Sequence, residues 1–572
     1  MPFITQPPNL FSQRASDTRS LALFYGRWSL LLALLLLLNC CGTSTVPGPT
    51  KHRPAAVTPT VRPAPASTAV LTSKNDNLRT GRDDHETLLN VDNVNVSDFG
   101  KRMSYPVDGA VYAQPLFVPN LTIQGHQHNV VFVVTEHDSV FALDADQPGP
   151  ALWQVSFIRL AQGITPLTPA DVNNCRDLGS EIGITSTPVI DKSTDTLYVL
   201  SITKEHGNAV QRLHALDIIS GQEKSGGPVT IQAAAQGSGD GSSGGVIYFD
   251  PRTANQRAAL LLTNGVISIA WASYCDSGFY HGWIIGYDAS SLKQVAVYND
   301  TPDGYQGGIW QSGGGLAADD QNNLYVATGN GTYNLNQGGQ DAGNSLLKLS
   351  IQPQGFKLED YFTPFNQTCL GFPNDTDFGS GGILLLPANN GIVSAGKEGR
   401  LYFINRLALG EYSPIDDPCD NQKRTDVDAV DQEFSPGTIA GGLYGSPTYW
   451  HSDNGEYIYL CGADDHLKAF RLTQGRLTLA QQTSQHFSYP GANSALSSDG
   501  ARAGNGILWV LDPQSVLHAY DAENLNLELY TTSQKAARDA MGSYVKFSVP
   551  TIANGEVFVG TQNSLLIYGL LN

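Results

Sequence analysis

The sequence predicts an all-β protein, an eight-bladed β-propeller of four-stranded antiparallel blades, with seven blades as the alternative. Three observations predict it. A unit of strand, polar tip and strand recurs eight times, and a stretch of small residues leads into every copy. The composition, 41% hydrophobic and 15% charged with 59 Gly and 31 Pro in 572 residues, suits many short strands and turns better than helices.

The N-terminus comes first in chain order. Arg14, Arg19 and Arg27 precede SLLLALLLLLNCCG, and the apolar run from Leu30 to Leu38 is too short to span a bilayer comfortably, so residues 1–40 read as an export signal. Leu38-Asn39-Cys40-Cys41-Gly42 resembles a bacterial lipobox with Cys41 as the acylated cysteine, because a cut before Cys40 would put Asn39 next to the bond. Residues 41–72 are rich in Thr, Pro and Ala with almost no large apolar side chain, the composition of an extended linker. Residues 73–572 remain for the folded domain. The expected location is extracytoplasmic, at the cell envelope, with the membrane contacted only through the lipid.

The formal net charge is -19. That balance repels phosphate and excludes nucleic acid and anionic membrane surfaces as partners. A monomer whose partner is a protein or a carbohydrate is expected.

The repeats follow. VVFVVTEHDSVFALDAD opens at Val130, then come LYVLSITKEHGNAVQRLHALD from Leu197, LLLTNGVISIAWASYCDSGFYHGWIIGYDA from Leu260 and NLYVATGNGTYNLNQGGQDAGNSLLKLS from Asn323. GIVSAGKEGRLYFINR from Gly391, YIYLCGADDHLKAFRL from Tyr457, ILWVLDPQSVLHAYDA from Ile507 and EVFVGTQNSLLIYGLL from Glu556 complete the eight. The leading stretches start at Tyr112, Thr185, Ser242, Ser312, Gly379, Tyr444, Gly491 and Ser548, about 47 to 73 residues apart, the period of a blade with loop insertions. Their Gly, Ser and Pro suit inner strands crowded around an axis. Residues 88–107 read as an extended segment ahead of the first blade, and the last hairpin has no fourth strand after it. The early segment is therefore expected to supply the outer strand of the final blade and close the ring.

The first tip sets Glu136, His137 and Asp138 side by side. At the same corner the other copies carry ADDH, KEGR, DPQS and TQNS, so the cluster reads as a turn rather than a catalytic group.

The repeats, of the pattern VYVxTxDxxLxAxDA, resemble the pyrroloquinoline-quinone-like repeats of quinoprotein alcohol dehydrogenases and of BamB-type lipoproteins. NLRTGRDDHETLL, EIGITSTPVID, GGIWQSGGGLAAD and GTQNSLLIYGLL look like an uncharacterised bacterial family carrying this repeat. The resemblance implies a fold and leaves activity open. For the dehydrogenases it implies pyrroloquinoline quinone under a disulfide of adjacent cysteines, stacked on a Trp, with calcium held by Glu, Asn and Asp and a further Asp as base. Adjacent cysteines occur only at Cys40 and Cys41, inside the signal. The residues that could stand in are Glu181 and Asp377 as catalytic carboxylates, Trp310, Asn330 and Lys397 for the cofactor, and Glu181, Asn330 and Asp341 for a metal.

Each has a bland role beside the functional one. Glu181 can bond backbone amides between blades, Asp377 can cap a turn, Asn330 suits a positive φ, Trp310 can pack between blades, and Lys397 belongs to the charged hairpin KEGR. His206 and His281 lack a companion ligand at metal spacing and read as structural. GSGDGSSGG from Gly237 lacks the Lys and Ser of a phosphate cradle and reads as a flexible inter-blade loop. Five mature cysteines allow two disulfides; Cys369 with Cys419, or Cys175 with Cys275, are conceivable, and spacing does not choose. The sequence thus favours a binding or scaffold module, with a quinone-dependent, calcium-dependent oxidoreductase as the alternative.

Overall fold

The computed structural model describes residues 68–371 and 373–571. Cys41, the signal and most of the linker lie outside the described residues. The propeller forms as expected, with eight blades. From the axis outward, blade 1 is Leu116–Ile123, His126–Val134, Ser139–Asp144 and Trp153–Ser156. Blade 2 is Val189–Asp191, Thr196–Glu205, Asn208–Asp217 and Val229–Thr230; blade 3 is Leu261–Thr263, Val266–Ser273, Trp283–Asp288 and Gln294–Asn299. Blade 4 is Ala317–Ala318, Leu324–Ala327, Leu346–Gln352 and Gly355–Thr363; blade 5 is Leu384–Leu385, Gly391–Ala395, Leu401–Asn405 and Gln432–Glu433. Blade 6 is Thr448–Ser452, Gly455–Cys461, Asp465–Thr473 and Arg476–Phe487; blade 7 is Asn493–Ser497, Ile507–Asp512, Val516–Asp521 and Asn524–Thr531.

Blade 8 closes the ring. Its inner strands are Thr551–Ala553, Glu556–Gly560 and Ser564–Leu570, and its outer strand is Phe99–Pro106, antiparallel to Ser564–Leu570 with Phe99 opposite Leu570 and Pro106 opposite Ser564. The early segment thus closes the ring as expected, although residues 88–98 of it form turns rather than extended strand. One leading stretch behaves otherwise. Ser242–Phe249 is not the inner strand of blade 3, because Val246–Tyr248 folds back on Ala234–Gln236 as a separate hairpin, and the inner strand is Leu261–Thr263. Its Ser and Gly serve a hairpin turn instead of axial crowding.

The strands nearer the axis are buried on both faces, which is why they are largely apolar rather than alternating, whereas an outer strand such as Arg476–Phe487 is mostly exposed. Val130–Val134 are all buried, and between blades 8 and 1 Phe558 stacks on Phe117 with centroids 5.6 Å apart. Trp271, Trp450 and Trp509 are fully buried between sheets, each contributing on the order of 3 kcal/mol by burial. At the axis a Cβ on Gly314 or Gly382 would collide with the Ser446 side chain of blade 6, which is the physical reason for small residues there.

Packing against the ring begins ahead of the boundary expected at Ser73. Residues 70–81 form a strap that runs around the inside of the channel and bonds to blade after blade. The Val70 N–H donates to Phe117 O of blade 1 at 2.8 Å, Ile190 N–H of blade 2 to Leu71 O at 2.8 Å, and Ala318 N–H of blade 4 to Asn77 O at 2.8 Å. Leu385 of blade 5 donates to Leu78 O at 3.0 Å, Tyr449 of blade 6 to Thr80 O at 2.8 Å, and Leu496 of blade 7 to Gly81 O at 2.8 Å. The inner strands of a ring would otherwise leave these backbone groups unpaired around the channel. Lys74 is fully buried and donates to Thr448 Oγ1 at 2.7 Å and Ser494 O at 2.8 Å; burial lowers its ammonium to about 7.

Two disulfides form, Cys175–Cys275 and Cys369–Cys419, so both conceivable pairings occur together. Cys461 is the free cysteine among the described residues and is buried. Among them no helix is long and apolar enough to cross a membrane.

Candidate functional site

Strands alternate in direction, so the strand-pair tips and the connections between blades share one end of the ring, here the tip face. The loop 157–183 between blades 1 and 2 folds over that face. Its Val172, Cys175 and Leu178 pack on Tyr112, Tyr274 and Val545, from three other loops. The Cys175–Cys275 disulfide staples this lid to the tip of blade 3.

Glu136, His137 and Asp138 form a turn, as the tip comparison predicts, with the Asp138 N–H donating to Thr135 O at 3.0 Å. The turn is nevertheless not solvated. Glu136 Oε2 accepts from Gly183 N–H at 2.7 Å and Asp138 Oδ1 from Ile202 N–H at 3.2 Å, joining blade 1 to blade 2. Burial pushes Glu136 up to about 7, opposed by the Gly183 N–H, and raises Asp138 well above the carboxylate range. Glu136 Oε1, Thr185 Oγ1, Tyr274 Oη and the Arg257 Nε and Nη2 are buried without protein partners.

Side chains from distant blades meet over the axis. The Arg257 guanidinium, leading into blade 3, lies 5.1 Å from the centroid of Phe547, leading into blade 8. Phe547 faces Tyr444, leading into blade 6, at 6.5 Å and 15° between planes, and Tyr444 meets Tyr489 edge-on at 5.3 Å. Lys546 reaches Asp177 of the lid at 3.6 Å. These contacts occupy the mouth of the channel.

Beside the mouth the structure brings together four of the residues singled out in the sequence: Trp310, Asn330, Asp377 and Lys397. Lys397 Nζ lies 2.5 Å from Asp377 Oδ2 and 2.9 Å from Asp375 Oδ1. The Asn330 N–H donates to Asp377 Oδ1 at 2.6 Å and its Nδ2 to Asp375 Oδ1 at 3.1 Å. The wall between Asp377 and Trp310 is Gly329, whose hydrogen leaves room that a Cβ would take 2.8 Å from Asp377 Oδ1 and 3.4 Å from Trp310 Cδ1. Burial raises Asp377, with Lys397 and Asn330 pulling the other way; burial also works against the Lys397 ammonium, and the Asp377 and Asp375 charges outweigh it and hold it up. Asn330 is not at positive φ; Asn344 is, at 52°, and donates its Nδ2 to Asn330 Oδ1 at 3.0 Å.

The other candidates lie elsewhere. Glu181 pairs with His137 Nδ1 at 2.7 Å on the rim between blades 1 and 2. Asp341 accepts from Asn334 Nδ2 at 2.6 Å and Asp303 N–H at 2.9 Å, in a loop of blade 4. Sequence reasoning passed over Asp375 and Arg257. The repeated carboxylate in NDTD is a signal for the first; Arg257 lies just ahead of the inner strand Leu261–Thr263, whereas the sequence pattern puts the leading stretch of blade 3 at Ser242.

No family model matches the chain, and no curated protein matches it. Solved structures do. It is similar to quinohemoprotein alcohol dehydrogenase from Comamonas testosteroni at 13% identity and a TM-score of 0.56, covering 88% of this chain and 80% of that one. Quinohemoprotein alcohol dehydrogenase ADHIIG from Pseudomonas putida HK5 is similar at 14% and 0.53, over 88% of this chain and 80% of that one. A europium-containing methanol dehydrogenase is similar at 13% and 0.54, over 88% of this chain and 98% of that one. The likeness is one of fold.

The residues present do not fit the quinone and calcium that the repeats imply. The three metal candidates, Glu181, Asn330 and Asp341, belong to three separate networks. Between Asp375 and Asp377 the Lys397 ammonium fills the place a cation would take, and the one side-chain oxygen of Asn330 already accepts from Asn344. The described disulfides join residues 100 and 50 apart rather than neighbours. Arg257, Phe547 and Tyr444 pack on one another at the mouth.

Proposed function

We propose that the protein is a binding module of the cell envelope, exported and tethered through a lipid on Cys41, that engages its partner with the tip face. One observation carries the reading. Four Phe, Trp or Tyr rings are exposed among the described residues, Tyr248, Phe279, Tyr305 and Tyr489; the last three stand on loops of the tip face, and Tyr248 ends the hairpin strand Val246–Tyr248 in the connection between blades 2 and 3. Exposed rings on one end of a rigid, closed ring are the composition of a recognition surface. Loops on a rigid scaffold carry such surfaces at little cost to the fold.

The test has two arms. Labelled palmitate should enter the wild-type protein and not Cys41→Ser. In cells, a photo-crosslinking residue at Tyr489 should trap an adduct that the same residue at Leu407, on the opposite face, does not. Absence of an adduct from the tip face, or equal adducts from both faces, would overturn the reading.

A second reading, an oxidoreductase using pyrroloquinoline quinone with calcium, rests on the likeness of fold to quinohemoprotein alcohol dehydrogenases and stands against the mutual satisfaction of Asn330, Asp377 and Lys397. Calcium-dependent, saturable binding of the quinone that weakens in Asn330→Ala would put it first. Lack of binding at high quinone concentration would remove it.

A further inference from the structure

We propose that the cleft between the loops of blades 2 and 3 is a carbohydrate-binding site for a neutral oligosaccharide; this rests on the binding-module reading and names its ligand class. The cleft has a volume of ≈ 620 Å³, within the range of small-molecule sites. It lies on the tip face, apart from the axial mouth and from the Asp377–Lys397 pair. Tyr248 and Phe279 line it at 62% and 68% exposure. Leaving two rings in water forgoes the free energy of burying them, and rigid rings offer contact area at small entropy cost.

The polar part of the cleft matches the other face of a sugar. Arg252 grips Asp250, Nη2 to Oδ2 at 2.7 Å and Nε to Oδ1 at 3.1 Å. That pair sets planar donors and acceptors side by side, where vicinal hydroxyls can bond both. The C–H face of the same sugar ring can then lie on an aromatic face. Asp240 adds a second carboxylate to the lining, which, with the net charge of -19, disfavours an anionic sugar.

The cleft is also preformed. The GSGDGSSGG loop, read from sequence as flexible, is pinned to the loop after blade 3. Ser238 N–H donates to Asp303 Oδ1 at 2.9 Å, Gly239 N–H to Pro302 O at 2.9 Å and Asp240 N–H to Gly304 O at 2.8 Å. His281 spans the same junction, with Nε2 at 2.8 Å from Asp240 O and Nδ1 at 3.0 Å from Thr301 O. Gly241 is at φ +74°, and a Cβ there would lie 3.1 Å from Phe279 Cβ, so glycine lets the loop rest against the ring. A site fixed in advance loses less entropy on binding.

Calorimetric titration of the full-length protein with neutral gluco-, xylo-, galacto- and N-acetylglucosamine oligosaccharides tests this, with oligogalacturonate as the anionic control. Saturable binding of at least one neutral oligosaccharide is expected, weakened on the order of tenfold in each of Tyr248→Ala and Phe279→Ala and unchanged in Tyr489→Ala. Both rings are exposed, so both variants should keep the wild-type melting temperature. If no neutral oligosaccharide binds, or if binding survives both substitutions, the proposal is overturned. A cross-linked adduct at Tyr489 alongside failed titrations would sink the carbohydrate site alone; failure of both experiments would sink the binding-module reading with it.

Discussion

Replacing Arg79 by Ala should cost about 4 kcal/mol of folding free energy. Arg79 is fully buried in the strap, and its fork bonds five groups: Nε to Leu316 O at 2.8 Å, Nη1 to Thr72 Oγ1 and Ser73 O at 2.8 Å each and to Asp76 O at 3.4 Å, and Nη2 to Leu260 O at 3.3 Å. The three short bonds involve a charged donor and are worth about 1.5–3 kcal/mol apiece. Against them stands burial of the charge, which lowers the guanidinium from 12.5 to about 10, a penalty of roughly 3 kcal/mol at 1.36 kcal/mol per pH unit. The difference, with carbonyls of blades 3 and 4 left unpaired, sits near the middle of the range for breaking a buried charged network. Urea unfolding followed by tryptophan fluorescence measures it. Arg79→Lys keeps the charge but not the fork and should fall between wild type and Arg79→Ala. Trypsin should cleave after Lys74 in native Arg79→Ala but not in native wild type. A loss below about 1 kcal/mol with the strap still protected would refute the idea that this residue ties the strap to the ring.

Three further outcomes follow from the geometry. Glu136 has a folded pKa raised by burial from 4.5 to about 7, so its contribution is fully present below pH 4.5 and is lost as pH rises through about 7; Glu136→Gln should flatten stability over that window by up to about 3 kcal/mol, and an unchanged pH profile in urea titrations would contradict this. Cys175→Ser opens a 100-residue disulfide loop and should destabilise by about 4–5 kcal/mol, with hydrogen exchange rising in 164–182 ahead of the blades; equal protection in both proteins would show that packing alone holds the lid. Burial raises the Cys461 thiol to about 12, so iodoacetamide should modify it only after unfolding, and rapid labelling of the native protein would contradict its position.

The ring was legible because its cause repeats. Eight apolar strand pairs with polar tips, each led by small residues, have one economical arrangement, and residues 88–107 read as an extended segment with no local partner, of which only Phe99–Pro106 is the strand. Blade 3 shows the limit: SSGGVIYF has the composition of an inner strand, but hairpin turns use the same Gly and Ser, and only the competition between partners decides. The strap was illegible for a related reason. TSKNDNLRTG is polar and bends through positive φ at Lys74, Asn75 and Arg79, so it resembles a loop, while the groups that satisfy it belong to residues hundreds of positions away. At the axial mouth, Trp310, Asn330, Asp377 and Lys397 could be named because each stands beside a leading stretch or a tip. Their mutual satisfaction could not, since an ion pair such as Lys397–Asp377 depends on distances that spacing along the chain does not encode.

Closure by Phe99–Pro106 imposes an order on biogenesis. The strand is made long before its partner Ser564–Leu570, which lies more than four hundred residues further along the chain, so through that interval of the chain's emergence it has nowhere to pair. Until then the growing assembly has two unmatched flanks, each able to recruit another copy's strand. Such long-range pairing is slow, and half-built sheets with open flanks are the species that clump. A chain shortened by its last hairpin should therefore accumulate as insoluble material rather than as a seven-bladed ring, because what it loses is the clasp and not merely one blade.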